Sequence, residues 1–205
     1  MPKVALCYTG NLRTWERCKH NHKENIWSND TELFFYTYEN PFDDFLNTSG
    51  LSSHWKQIVE PFYPNPFGYH KYSERKAPEN QVFNTMNQWI NNFIGFRLIP
   101  KGYDIYVRIR PDLNFNGKLD FSQYPCSDEG NVIYIPQGMD FGGINDQFAF
   151  GGYEAMKTYY SVLFNCHDLW DEGTIFHSES MQLANLNKRG IQIVRIGSPQ
   201  HDIVR

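Results

Sequence analysis

The sequence predicts an α/β chain whose central, mostly parallel mixed sheet is flanked by helices, and three observations lead there. Residues 4–8, 32–38 and 103–109 are short runs rich in apolar, β-branched and aromatic side chains, the pattern of interior strands. A helical pattern lies between the first two runs and a longer one precedes the third, and such alternation implies parallel strands joined by crossover helices. No internal repeat, low-complexity tract or run of about 18 apolar residues breaks the pattern, so no membrane span is expected.

The first run is apolar throughout and breaks at Thr9, Gly10 and Asn11, before a helical pattern carrying Trp15, Cys18 and Ile26. A strand, a glycine-containing turn and a helix place backbone N–H groups and a helix dipole where a phosphate can sit, and Arg13 adds a fixed positive charge. A plain strand-to-helix turn explains the same residues, because one glycine is a weaker sign than a full phosphate loop.

Residues 32–38 form the second buried strand, ended by Glu39, Asn40 and Pro41, with Asp43 and Asp44 solvated in the loop beyond. A short helix is expected over residues 53–62. Pro61, Pro64 and Pro66 then enforce an extended connection, and residues 63–76, polar and aromatic without period, read as a long loop of a kind that often carries function.

Residues 80–98 make the best helix, with Val82, Phe83, Met86, Trp89, Ile90, Phe93 and Ile94 at spacings of three and four. Its other side is a row of carboxamides: Asn80, Gln81, Asn84, Asn87, Gln88, Asn91 and Asn92. Solvation alone explains that row; hydrogen bonding to a hydroxylated ligand is the alternative.

In the central strand Ile105, Val107 and Ile109 alternate onto one face, and Pro111, which has no N–H to donate, stops the pairing. Asp112 is left at the mouth of the sheet beside Arg108 and Arg110. Ligands of α/β sheets bind beyond the carboxyl ends of the strands, so chemistry is expected here. The plainer alternative is an Arg110–Asp112 pair closed across the turn.

Residues 131–136 are another short strand. After a turn containing Gly138, Gly142 and Gly143, a strand is expected over 144–152, introduced by Asp146. Residues 154–165 read as a helix with Met156, Tyr159, Tyr160 and Leu163 inward. Ser178 is expected to cap a last helix holding Glu179, Met181, Ala184 and Leu186, stopped at Gly190, before a final strand at 191–195. An acid in a first helical turn complements the dipole, which accounts for Glu179; Asp104 caps the start of its strand, and His177 and His201 read as surface or hydrogen-bonded side chains, with metal ligation as the alternative.

With 205 residues, a single domain over 1–205 is expected, or one domain of a longer chain. The formal charge of −4 and the lack of any Lys/Arg run exclude a general nucleic-acid binder. Aromatic residues at 17% either fill the core or line a groove for flat apolar faces. Cys7, Cys18, Cys126 and Cys166 form no Cys-x-x-Cys pair and read as reduced, mostly buried thiols of a cytoplasmic protein. Only about six apolar or small residues follow Lys3 before Gly10, fewer than the roughly 7–15 of a signal peptide's apolar stretch.

Residues 4–15, the phrase Tyr-Asp-Ile-Tyr-Val-Arg-Ile-Arg-Pro-Asp-Leu at 103–113 and the later Asn-Asp-Gln-Phe-Ala-Phe-Gly at 145–151 together resemble a family of small GT-A-type glycosyltransferases. Its members occur in bacterial surface-polysaccharide loci and in large algal viruses that glycosylate their capsids. The resemblance implies one GT-A-like, Rossmann-like domain using a nucleotide-diphosphate sugar donor such as a UDP-sugar and a glycan or glycoprotein acceptor. It implies a divalent metal, Mn²⁺ or Mg²⁺, held across the diphosphate by an Asp-x-Asp turn. This chain spells Arg110-Pro111-Asp112 there, so only Asp112 matches as a metal ligand, and Arg110 is the candidate to share the charge-neutralising role. Thr9, Gly10, Asn11, Arg13 and Arg110 are the expected donor-binding residues. Asp146 is the expected general base; in a retaining enzyme Asp146 or Gln147 would orient the donor sugar instead. Two other classes fit the same residues: a non-catalytic carbohydrate-binding or scaffold domain, and a sugar-nucleotide hydrolase or nucleotidyltransferase.

Overall fold

Three consecutive strands, β1 (Val4–Gly10), β2 (Thr31–Thr37) and β3 (Ser53–Gln57), lie side by side and parallel in the computed structural model, which describes residues 1–58, 79–197 and 199–205. β4 (Ile105–Ile109) joins the other side of β1, also parallel, and is followed by β7 (Phe148–Gly151), β6 (Val132–Pro136) and β8 (Gln192–Ile196). The order across the seven strands is β3-β2-β1-β4-β7-β6-β8, and β7 runs antiparallel to both of its neighbours. This is the expected mixed, mostly parallel sheet. β1 and β4 are apolar almost without alternation because both of their faces are covered.

On one face lie helix α1 (Trp15–Asn25) and a two-stranded sheet of β5 (Leu113–Phe115) and β9 (His201–Ile203), packed on Tyr8, Phe35, Val107, Ile109 and Phe148. A one-turn helix, α2 (Asp44–Asn47), sits near the β3 side, its first turn capped by the Asp43 carboxylate. The opposite face carries α3 (Glu79–Arg97) and α4 (Tyr153–Tyr160), which bury Cys7, Phe34, Tyr106 and Ala149. α5 (Val162–Asp171) and α6 (Ser178–Lys188) complete a third cluster with α3 around Trp89, Cys166, Trp170 and Met181. Gly95 sets how close α3 comes to the sheet: a Cβ there would stand 2.5 Å from Thr9 Cγ2 and 3.3 Å from Cys7 Sγ. Only a residue without a side chain allows that approach.

Several expectations change. Residues 53–57 form strand β3 rather than the start of a helix. The segment pairs with the open edge of β2, with Leu33 N donating to Ser52 O at 2.9 Å and Ile58 N to Thr37 O at 2.8 Å, and residues 59–62 of the helix expected over 53–62 lie outside the described residues. The strand expected over 144–152 is ordered as strand only from Phe148, and the helix expected over 154–165 breaks at Ser161 into α4 and α5. The N-cap of α6 is His177, not Ser178, whose hydroxyl is spent elsewhere. The loop expected at 63–76 lies outside the described residues. All four cysteines are free thiols, and among the described residues no helix is long and apolar enough to cross a membrane.

Candidate active site

Register alone brings three separated turns together. Tyr8 is aligned with Ile109 across β1 and β4, and Ile109 with Phe148 across β4 and β7, so the end of β1, the end of β4 and the start of β7 share one rim. Arg110 N donates to Gln147 O at 3.2 Å and ties two of the turns directly.

Between this rim and α3 lies a cavity of about 500 Å³. The turn after β1 supplies Thr9, Gly10, Asn11 and Arg13, and the turn after β4 supplies Arg108, Arg110, Pro111 and Asp112. Gly10 has φ +111°, a conformation that side-chain-bearing residues rarely adopt, which is why the strand can turn there into the cavity wall. The Asn11 carboxamide accepts from Arg13 N at 2.8 Å and holds the turn. Helix α1 starts at Trp15, two residues beyond Arg13, and none of its residues lines the cavity.

The facing wall is the carboxamide row of α3. Asn84, Asn87, Gln88, Asn91 and Asn92 all line the cavity, Asn84 exposed and Asn91 and Asn92 buried. Asn92 Oδ1 accepts from Thr9 Oγ1 at 2.5 Å, and among the described residues the buried Asn91 Oδ1 has no hydrogen-bond partner. The side chains of Asn80 and Gln81 lie outside the described set.

Arg110 and Asp112 form the pair foreseen as the plainer alternative, with Nε to Oδ1 at 2.9 Å and Nη2 to Oδ2 at 2.6 Å. This two-pronged bond occupies both oxygens of a carboxylate that is itself buried. Arg108, one strand position earlier than Ile109, points to the opposite face. It is 2% exposed, and among the described residues neither Nε nor Nη1 has a hydrogen-bond partner. Its charge is felt by the Cys7 thiol and by the Tyr159 and Tyr160 hydroxyls, and among the described residues no carboxylate pairs with it. Burial pushes the Cys7 thiol up to about 12, so it supplies no thiolate counter-charge.

Asp146 sits one hydrogen bond behind the cavity wall. Its Oδ2 accepts from Gln88 Nε2 at 2.7 Å and from Ser178 Oγ at 2.6 Å, and its carbonyl accepts from the Tyr159 hydroxyl at 3.1 Å. Beside it, burial and then the Asp146 charge hold Glu179 above the usual carboxylate range. His177 Nδ1 approaches Glu179 Oε2 to 2.9 Å, though outside hydrogen-bond geometry. Gln147 Oε1 lies 3.2 Å from Nε2 of the buried His201, whose imidazole burial pushes down to about 4.

Of the residues singled out in the sequence, Thr9, Gly10, Asn11, Arg13, Arg110 and Asp112 thus share one cavity, and Asp146 joins through Gln88. Arg108, the α3 carboxamides and Ser178 were not singled out as site residues. A charge at a strand position whose neighbours are all core residues was the available signal for Arg108. The groups present do not fit a divalent cation as they stand. Among the described residues no three His, Cys, Asp or Glu side chains converge, and Asp112 would have to release Arg110 to bind one.

The glycosyltransferase GlyE of Streptococcus pneumoniae TIGR4 is similar in structure, with a TM-score of 0.56 at 12% identity over 96% of this chain and 45% of that one. This chain therefore spans less than half the length of that protein. No family model and no curated protein matches it by sequence. The likeness is one of fold: an α/β chain with a seven-strand mixed, mostly parallel sheet flanked by helices, similar to that glycosyltransferase structure.

Proposed function

We propose that this chain is a glycosyltransferase domain that moves a hexose or deoxyhexose from a nucleotide-diphosphate carrier to a hydroxyl of a glycan or glycoprotein acceptor. The observation that carries this reading is the cavity at the carboxyl ends of β1 and β4, with guanidinium groups on one wall and carboxamides on the other. Guanidinium groups suit phosphate oxygens, and carboxamides, which both donate and accept, suit sugar and ribose hydroxyls.

In the reaction an acceptor oxygen forms a bond to the anomeric carbon. The bond from that carbon to the phosphate oxygen breaks, and the nucleoside diphosphate leaves with the electron pair. Positive groups aimed at the departing oxygens stabilise that charge, the role assigned to Arg13, Arg108 and Arg110. The acceptor's proton passes to Asp146, whose Oδ2 is held by Gln88 and Ser178. Among the described residues its Oδ1 accepts no hydrogen bond.

Release of nucleoside diphosphate, followed with a panel of sugar nucleotides and acceptor glycans, tests the proposal, and product mass separates transfer from hydrolysis. Asp146→Asn is expected to lower the transfer rate by about 10²–10⁴-fold, the range typical of a general base, with donor affinity nearly kept. A chain that binds glycan but releases no nucleoside diphosphate, with or without that substitution, would be a binding or scaffold domain instead.

A further inference from the structure

We infer that this site binds the diphosphate of its donor without a divalent cation, with the buried Arg108 guanidinium as the built-in counter-charge. The inference rests on the proposed function, because it concerns how the same cavity holds the same ligand. Two independent features of the site lead to it.

The first is that the acid in the metal-ligand position is already neutralised. Both Asp112 oxygens are engaged by Arg110 at 2.9 and 2.6 Å, and the turn is further pinned by Val204 N donating to Asp112 O at 2.8 Å. A hard cation such as Mg²⁺ takes one or two carboxylates in addition to phosphate oxygens. Here the first carboxylate would have to shed a two-pronged guanidinium, and Arg110 stands where a second acid of an Asp-x-Asp turn would be. A cation arriving beside Arg110 would also meet its positive charge.

The second is a positive charge that no carboxylate among the described residues neutralises. Arg108 is 2% exposed and lines the cavity, among the described residues its Nε and Nη1 have no partner, and its charge is felt by a protonated thiol, Cys7, and two phenols, Tyr159 and Tyr160. An isolated ion out of water is costly, and folded proteins ordinarily pair it. An anion in the cavity supplies the pairing. Arg13, exposed on the same wall and in no ion pair among the described residues, adds a second cation beside Arg108. A nucleoside diphosphate brings the matching charge, and a planar guanidinium reaches two phosphate oxygens at once.

Calorimetric titration of the wild-type chain with UDP, GDP and ADP, each in excess EDTA and again in Mn²⁺, tests this. At least one nucleotide is expected to bind with affinities agreeing within about threefold between the two conditions. Arg108→Met is expected to weaken that binding in both by on the order of 100-fold, since truncating one side of a buried charge pair costs about that much. The same substitution is expected to raise the melting temperature of the ligand-free chain by about 2–8 °C, because it removes an unpaired buried charge. Arg108→Lys, which keeps the charge, is expected to retain part of the affinity and covers the case in which the Met variant fails to fold. Binding that appears only with Mn²⁺ overturns the inference and leaves the glycosyltransferase reading standing. No binding of any nucleotide in either condition removes both.

Discussion

Tyr8 and Arg108 are among the largest fully buried side chains of the molecule, on adjacent strands and on opposite faces of the sheet, and their polar atoms are treated in opposite ways. The Tyr8 hydroxyl lies 3.0 Å from His22 Nδ1 and accepts from Trp27 Nε1 at 2.9 Å, while His22 Nε2 donates to Leu113 O at 2.7 Å. Every polar atom of that chain is matched, and the imidazole is pushed down to about 4 by burial and stays neutral. Arg108 has a permanent charge, and among the described residues its Nε and Nη1 have no partner. The difference teaches which polar cluster serves the fold and which is held ready for a ligand, since a satisfied network adds stability and an unsatisfied ion subtracts it.

That contrast is sharpest under substitution. Tyr8→Ala is expected to cost about 3–5 kcal/mol in urea denaturation, through the cavity left among Trp15, His22 and Phe35, and to leave the nucleotide affinity of the folded fraction intact. A loss of affinity with unchanged stability would erase the distinction between the two faces. Acid probes the same comparison less severely. The folded pKa of His22 and of His201 is about 4 against an ordinary 6.5, so between those values the unfolded chain binds more protons. Stability is therefore fully present above pH 6.5 and declines as pH falls toward 4, by at most about 3 kcal/mol for each imidazole. Melting curves across this window should show the decline, and His22→Gln should flatten it. A gain in stability on acidification would contradict the buried neutral assignment. The smallest effect is expected at Asn91, whose Oδ1 is buried on the cavity wall without a partner among the described residues. Asn91→Leu should change stability by less than about 1 kcal/mol while weakening donor binding several-fold, measured by calorimetry.

Much of the fold was legible because both periods are strong. The alternation of Ile105, Val107 and Ile109 and the three-and-four spacing of α3 each leave one structural solution. Where the pattern was short, long-range pairing decided: residues 53–57 have a helical spacing and become a strand because β2 has an edge to fill. The candidate site was half legible. Turn chemistry marked Gly10 and the charge cluster marked Arg110 and Asp112, yet the carboxamides of α3 looked like a wetted surface. Nothing local distinguishes a solvated amide face from one laid across a cavity.

The sequence by itself determined β1, β2 and β4, the apolar stripe of α3 and the presence of three polar turns, since these follow from side-chain period and backbone chemistry within a few residues. Only the tertiary structure decided that β3 is a strand, that Asp112 spends its charge on Arg110, that Arg108 Nε and Nη1 find no partner among the described residues, and that Gly95 lets α3 bring its amides over the rim. Those outcomes depend on distances between segments far apart in the chain, and a guanidinium's neighbours are set by packing rather than by its own identity.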